Sequence, residues 1–442
     1  MNRSKATNVR WRILLIVLLL GFIAYVYRAN LSVVGKFMMD DLGISQIELG
    51  WLLSAFIWGY TIFQFPGGLF SQLIGPRKTL VVVTLGSSLI TLLTGLIVFS
   101  SASLVLLIPL ILVSRFLLGA FQGPLFPAVG GGVIARWFPV GSWALPNGMS
   151  STSLALGSAA TPPLITLMVI YIGWKSSFFL LSILGVIGSV IWWKYARDWP
   201  NEHPDVNAEE LKLTANNNLG DNQITWSLIK KVLTNTNVLL LSLSYLCMNY
   251  VFYIFFSWLF IYLVNERNFS ILEGGLLASL PFLMGAIGAT VGGYMCDRLQ
   301  KKVGPTWGHR IPVILGLIPS GACLIFGSIT QNPYLAVVSL ALCFGFIQLT
   351  EGPYWSTIAF VSRENAQAGG GVLNTGGNLG GVIATPLIPI LVAQFDWVIA
   401  LSSGAVFAVM ALVFFMFINF KENIKNGGMS KRLTGTTGRS TL

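Results

Sequence analysis

The sequence predicts an all-α membrane protein of twelve spanning helices, divided six and six. Three observations carry that prediction. Hydrophobic residues make up 54% of the 442 residues and charged residues only 10%, against about 25% charged in a soluble domain. Apolar runs near the length of roughly 20 residues that a 30 Å hydrocarbon core requires recur along the chain. One long polar stretch, 195–236, divides those runs six and six.

The runs follow in order. The first, 12–35, opens on "ILLIVLLLGFIAYV" behind Arg3, Lys5, Arg10 and Arg12. That charge pattern resembles a signal peptide. The run is long and no small-residue cleavage site follows it, so it reads as a retained first span. Spans at 49–70, 79–99, 103–134, 146–171 and 176–194 complete the first half. The second half holds 237–264, 272–295, 311–330, 334–358, 370–393 and 397–420. The expected organisation is an N-terminal bundle (1–194), a cytoplasmic linker (195–236), a C-terminal bundle (237–420) and a cytoplasmic tail (421–442). The tail is basic and rich in Gly, Ser and Thr, the composition of a disordered segment. With the N-terminus inside, 22 of the 27 Lys and Arg fall in cytoplasmic segments and 3 (Lys36, Lys175 and Arg267) outside. The positive-inside rule then places both termini in the cytoplasm.

The net charge of +11 is therefore a topological signal. No basic patch is interleaved with stacking aromatics, so no nucleic-acid partner is expected; the lipid bilayer is. Cys247, Cys296, Cys323 and Cys343 lie in or beside apolar runs without metal-ligand spacing, and His203 and His309 lie in polar loops. No metal, cofactor or disulfide is expected. A membrane enzyme would need clustered His, Asp, Glu or Cys, and these residues are scattered.

The two halves echo each other. "FQGPLFPAVGGGVIARWF" (121–138) shares its opening Gly-Pro and closing arginine with "TEGPYWSTIAFVSRE" (350–364), and "LGSAATPPLI" (156–165) matches "LGGVIATPLI" (379–388). Repeated halves characterise secondary transporters, whose substrate site lies near the midplane between them.

Three charges sit deep in spans: Arg28 in "YRANLSVVGK", Arg115 and Glu351. An arginine at the centre of an inserted helix costs about 2.5–3.5 kcal/mol on translocon scales, so such residues are paired or functional. A guanidinium binds a carboxylate through a planar fork. The structural alternatives are snorkelling for Arg28 and a pair with backbone carbonyls for Arg115. Gln122, seven residues after Arg115, shares its helix face. Tyr60 and Gln64 share a face of span 2; Tyr250, Tyr253 and Ser257 form a stripe on span 7; Asn374 and Asn378 do so on span 11. Their amides and hydroxyls suit either substrate hydroxyls or helix contacts. Trp258 and Trp355 suit packing as well as a substrate platform.

The chain resembles the major facilitator superfamily, and within it the anion:cation symporter family. "YRANLSVV", "GWLLSAFIWGYTIFQFPGGLFSQLIGPRK", "SRFLLGAFQGPLFPA", "ARWFPVG", "RDWPNEHP", "FFSWLFIYLV" and "NTGGNLGG" carry the likeness across the chain up to residue 420. The resemblance implies the major facilitator fold of two pseudo-symmetric six-helix bundles, alternating access and an organic anion such as a sugar acid. It implies that Arg28 and Arg115 serve the anion and strengthens Tyr60, Gln64 and Asn378 as ligands. Bacterial sugar-acid symporters of that family carry a carboxylate at the position of Gln122 and an aspartate at that of Tyr27, so the usual proton-coupling pair is absent. Glu351, the deep carboxyl of the second half, is left as the coupling candidate, with a salt bridge across the halves as the alternative. Asp297 and Arg298 keep the superfamily's loop signature after span 8. The matching loop after span 2 has Gln72 and Leu73 there, which shifts its state-locking role towards Arg77 and Lys78. The expectation is a monomeric transporter of a small organic anion in the cytoplasmic membrane, importing by proton symport. A facilitator, exchanger, exporter or substrate-sensing receptor on the same fold are the alternatives.

Overall fold

The computed structural model describes residues 6–100, 103–139, 144–214, 230, 233–362 and 366–420. The helices of membrane length or lining the interior are α1 (Val9–Leu42), α2 (Gln46–Ile74), α3 (Pro76–Phe99), α4 (Leu104–Gln122), α5 (Ala144–Ile172) and α6 (Trp174–Tyr195), then α7 (Thr236–Asn265), α8 (Leu280–Ile329), α9 (Pro333–Leu349), α10 (Glu351–Ser362), α11 (Ala366–Gln394) and α12 (Trp397–Met416). Among the described residues, ten helical stretches are long and apolar enough to cross a bilayer. One of them, Ile271–Ile329, bends back at Gly304, whose φ of 83° suits glycine, and so supplies two crossings. Helix α2 makes the twelfth; its 29 residues include Glu48, Gln64 and four glycines, which dilute its apolarity. Helices α9 and α10 together form one crossing, interrupted at Thr350 immediately before Glu351. Helix α4 continues through a π-helical turn, Ala128–Ile134, to Trp137.

The two halves repeat one close helix crossing. A Cβ on Gly59 of α2 would lie 2.0 Å from the Phe116 carbonyl oxygen of α4, and one on Gly119 would lie 2.0 Å from that of Phe56. In the second half a Cβ on Gly288 of α8 would lie 2.0 Å from the Gly345 oxygen, and one on Gly292 would lie 1.8 Å from that of Leu349. Small residues at these points let backbones touch, where lipid-buried helices gain most of their contact energy.

The halves meet through α2 against α11, α5 against α8 and its preceding helix, and α1 against α7. Near the outer side, Gly50 abuts Thr385 and Pro389, the Ser54 hydroxyl donates to the Val382 carbonyl at 3.2 Å, and Gly275 abuts Thr166. Two polar contacts cross at mid-depth, Arg28 with Tyr253 and Asn378 with Gln64. Among the described residues no side-chain hydrogen bond or ion pair joins the halves nearer the cytoplasm. Gln64, Glu351 and Asn374 remain half-buried there, and Trp355 is exposed. The described polar contacts between the halves therefore lie at mid-depth and on the outer side.

The described part of the linker folds back onto the first half. The Glu210 carboxylate accepts from the Thr7 hydroxyl (2.6 Å) and the Val9 and Arg10 backbone N–H groups (3.0 Å each), filling orphan donors at the start of α1. Asp198 accepts from the Arg77 N–H at 2.9 Å and pairs with Arg136 at 3.6 Å. His203 and His309, expected in polar loops, are both buried; His309 lies 3.0 Å from the Ser356 hydroxyl and stacks on Phe420. The sequence-expected linker segment 215–229 and the tail from 421 lie outside the described residues.

Candidate functional site

Arg28 lies on α1 at the seam between the halves and is 7% exposed. Five aromatic rings surround its guanidinium: Tyr25, Phe56, Tyr60, Tyr253 and Phe256, with centroids 5.1–5.6 Å from Cζ. The faces of these rings attract a cation and are worth more when desolvated. Among the described residues the guanidinium makes one hydrogen bond, from Nη2 to the Tyr253 hydroxyl, and its buried Nε has no partner. Snorkelling is excluded in this state, because the side chain turns into the protein. A planar donor fork held dry with donors to spare is a strong carboxylate receptor.

Arg115 is oriented differently. It is 2% exposed, and its Nη2 and Nη1 donate to the carbonyls of Arg28 and Tyr27 at 3.2 and 3.5 Å. Gln122, two turns along on the same helix, donates to the Ala24 carbonyl at 3.1 Å. The face shared by Arg115 and Gln122 thus staples α4 to α1 around Arg28. Arg115 still adds positive potential beside Arg28, with its Cζ 5.4 Å from the Phe56 ring they share. Tyr27 turns away into the first bundle, where its hydroxyl meets Ser88 at 3.0 Å and donates to the Leu181 carbonyl at 2.9 Å.

From Arg28 a hydrogen-bonded line crosses to the second half and returns. The Tyr253 hydroxyl donates to Asn378 Oδ1 at 3.0 Å, and Asn378 Nδ2 donates to Gln64 Oε1 at 3.4 Å. Arg28, Tyr60, Gln64, Tyr253 and Asn378 therefore form one cluster. Ser257 is buried one turn outward of Tyr253, and Asn374 lies one turn inward of Asn378. Tyr250 leaves the stripe: it stacks on Phe407 at 3.7 Å and meets Ser403 at 2.9 Å, inside its own bundle. Trp258 packs there too, donating to the Thr385 carbonyl at 3.2 Å.

Glu351 lies nearer the cytoplasm. Tyr245 and Trp355 both donate to its Oε1 at 2.8 Å. Tyr245 precedes Tyr253 by eight residues on α7, which puts Glu351 about 12 Å inward of Arg28 at 1.5 Å per residue. Among the described residues no Lys or Arg lies within ion-pair distance of Glu351, so the salt bridge across the halves is not made in this state. Of the expected conformational-loop residues, Arg77 donates to the Trp193 carbonyl at 2.6 Å and stacks on that ring, while Asp297 and Arg298 are exposed and Arg298 covers Tyr294. Among the described residues, no hydrogen bond or ion pair joins any of the three to the other half.

The cage residues Tyr25, Phe56 and Phe256, and the Glu351 partner Tyr245, were missed at the sequence level. A signal was present for Tyr25, three residues before Arg28, and for Phe56, four before Tyr60. Phe256 comes from the other half and carries no such sign.

The family model of the Major Facilitator Superfamily matches residues 17–385. The chain belongs to the Major Facilitator Superfamily. It is 33% identical over 400 residues to a probable galactarate/D-glucarate transporter, GudP, of Bacillus subtilis, with 87% of this chain and 86% of that protein covered. It is 30% identical over 413 residues to the hexuronate transporter of the same organism, covering 91% and 94%. A probable sulfoacetate transporter, SauU, of Cupriavidus necator is 29% identical over 416 residues, covering 93% and 94%. Among solved structures, an inward-facing bacterial homologue of the human lysosomal transporter Spinster superposes with a TM-score of 0.76 at 15% identity, covering 96% and 98%. A D-xylose-proton symporter superposes with a TM-score of 0.73 at 13% identity, covering 93% and 99%. These likenesses establish the twelve-helix fold of two pseudo-symmetric bundles. The curated relatives are named as transporters, not enzymes.

Proposed function

We propose that this multi-pass membrane protein is a secondary active transporter that imports a small organic anion, a sugar acid or related carboxylate, by alternating access and proton symport. The observation that carries the reading is Arg28: a buried, under-bonded guanidinium at the seam of two halves that are closed on one side. The named substrates of the relatives are all acids, which agrees with a cationic site. On this reading residues 1–194 and 237–420 are the two moving bundles of a monomer in a bacterial cytoplasmic membrane. The segments 195–236 and 421–442 and both termini lie in the cytoplasm.

Coupling is assigned to Glu351. It is the deep carboxyl of the interior, half-buried on the inward side, and held by two neutral donors rather than by a cation. Tyr27 and Gln122, at the positions of the usual coupling pair, are locked into helix contacts. Their lack of a carboxyl favours the competing reading, an uncoupled facilitator or exchanger. Uptake of D-glucuronate, D-galactonate and galactarate into proteoliposomes, with an imposed pH gradient and clamped potential, separates the two. Symport gives accumulation in the wild type, while Glu351→Gln retains exchange without accumulation. Absence of accumulation in the wild type supports the uncoupled reading, and accumulation by Glu351→Gln removes Glu351 as the carrier.

A further inference from the structure

The hydrogen-bonded line Arg28–Tyr253–Asn378–Gln64 does two things at once. It gives the buried Arg28 guanidinium its one hydrogen-bond acceptor among the described residues, and it ties α1 and α2 of the first half to α7 and α11 of the second. A neutral phenol is a weak partner for a dry guanidinium with a free Nε; a carboxylate can take two of its donors. The phenol and a substrate carboxylate therefore compete for the same fork.

We propose that Tyr253 is a latch: its hydroxyl occupies the carboxylate place on Arg28 when no acid is bound, and an arriving carboxylate displaces it. Displacement breaks the Arg28–Tyr253 tie and frees Asn378 Oδ1, which can then accept from a hydroxyl of the bound acid. Occupancy at Arg28 is thereby converted into loss of a mid-depth tie between the halves, which leaves the seam beside Ser54 freer to part. Tyr253 is in this sense a positioning residue that couples binding to movement. The proposal rests on the reading that Arg28 receives a carboxylate. Its geometry is independent of coupling: Glu351 sits about 12 Å further inward by the helical rise.

The natural test is Tyr253→Phe, which keeps the ring packed against Phe252 and Phe256 and removes only the hydroxyl. The reporter is Ser54→Cys, at a seam position 1% exposed, in a background with Cys247, Cys296, Cys323 and Cys343 replaced. Labelling by a membrane-impermeant maleimide is followed in nanodiscs with and without D-glucuronate, D-galactonate or galactarate. In the latch scheme, acid raises labelling of the Tyr253 protein. The Tyr253→Phe protein labels several-fold faster when empty, responds little to acid, and binds acid several-fold more tightly because the competitor is gone. Weaker acid binding by Tyr253→Phe would make the phenol an ordinary substrate ligand and overturn the latch. Unchanged labelling of the empty variant would overturn the tie. If the Tyr253 protein binds none of the three acids, the carboxylate reading itself fails, while the labelling of empty protein still decides whether the tie exists.

Discussion

Replacing Arg28 by lysine keeps the positive charge and removes the fork, so it isolates the geometry of recognition. A bidentate carboxylate takes two of the guanidinium donors, and lysine presents a point charge instead. A hydrogen bond to a charged group is worth about 1.5–3 kcal/mol net. Losing one of two such bonds should weaken binding by about 10- to 150-fold, at about 1.4 kcal/mol per decade. The surrounding cage adds to the loss, because five rings at 5.1–5.6 Å are set around a planar group. Arg28→Ala should bind below detection, since neither charge nor donor remains. The assay is calorimetric titration of purified protein with D-glucuronate and with galactarate. Thermal unfolding runs in parallel to show that each variant is folded. Binding by Arg28→Lys within about threefold of wild type would refute the bidentate argument, and leave a site that reads charge alone.

Arg115→Lys should lower thermal stability as well as affinity, because its Nη atoms hold two α1 carbonyls; a loss of binding with unchanged unfolding temperature would instead make Arg115 a direct ligand. Gly59→Ala and Gly288→Ala each force a Cβ to 2.0 Å from a carbonyl oxygen and should each cost about 1–3 kcal/mol as overpacking does; denaturant unfolding of both variants checks it, and a neutral result would mean that the crossings relax freely. Burial raises the Glu210 pKa, but hydrogen bonds from Arg10, Thr7 and Val9 and the Arg10 charge outweigh it and leave it below the usual value. The folded pKa being depressed, the clamp on α1 is present in full above the unfolded value of about 4.3 and is lost as pH falls through the folded one. Glu210→Ala should therefore cost about 1–2 kcal/mol at pH 7, with the gap in unfolding temperature to wild type closing below about pH 4; a gap independent of pH would show that the lost stability is packing alone.

The run lengths, the six-plus-six division and the clustering of Lys and Arg in inside segments were legible because the bilayer imposes them locally, residue by residue. The three deep charges were legible for the same reason: a charge in an apolar run stands out whatever surrounds it. Partnership is not local. Arg28 and Arg115 look equivalent in the sequence, yet one presents its fork at the seam and the other spends its fork on the α1 backbone. Tyr250 and Tyr253 look like one stripe, yet three residues on a helix turn the side chain by about 300°, and the first faces its own bundle while the second reaches Arg28. Glu351 looked equally able to pair with an arginine or to stand apart, and only the tertiary structure, which gives it Tyr245 and Trp355 as donors, separates it from every described cation. Sequence alone determined that the chain crosses a membrane twelve times with buried charge. Which of those charges remains available was decided by contacts between residues 87 to 225 positions apart, which no local pattern encodes.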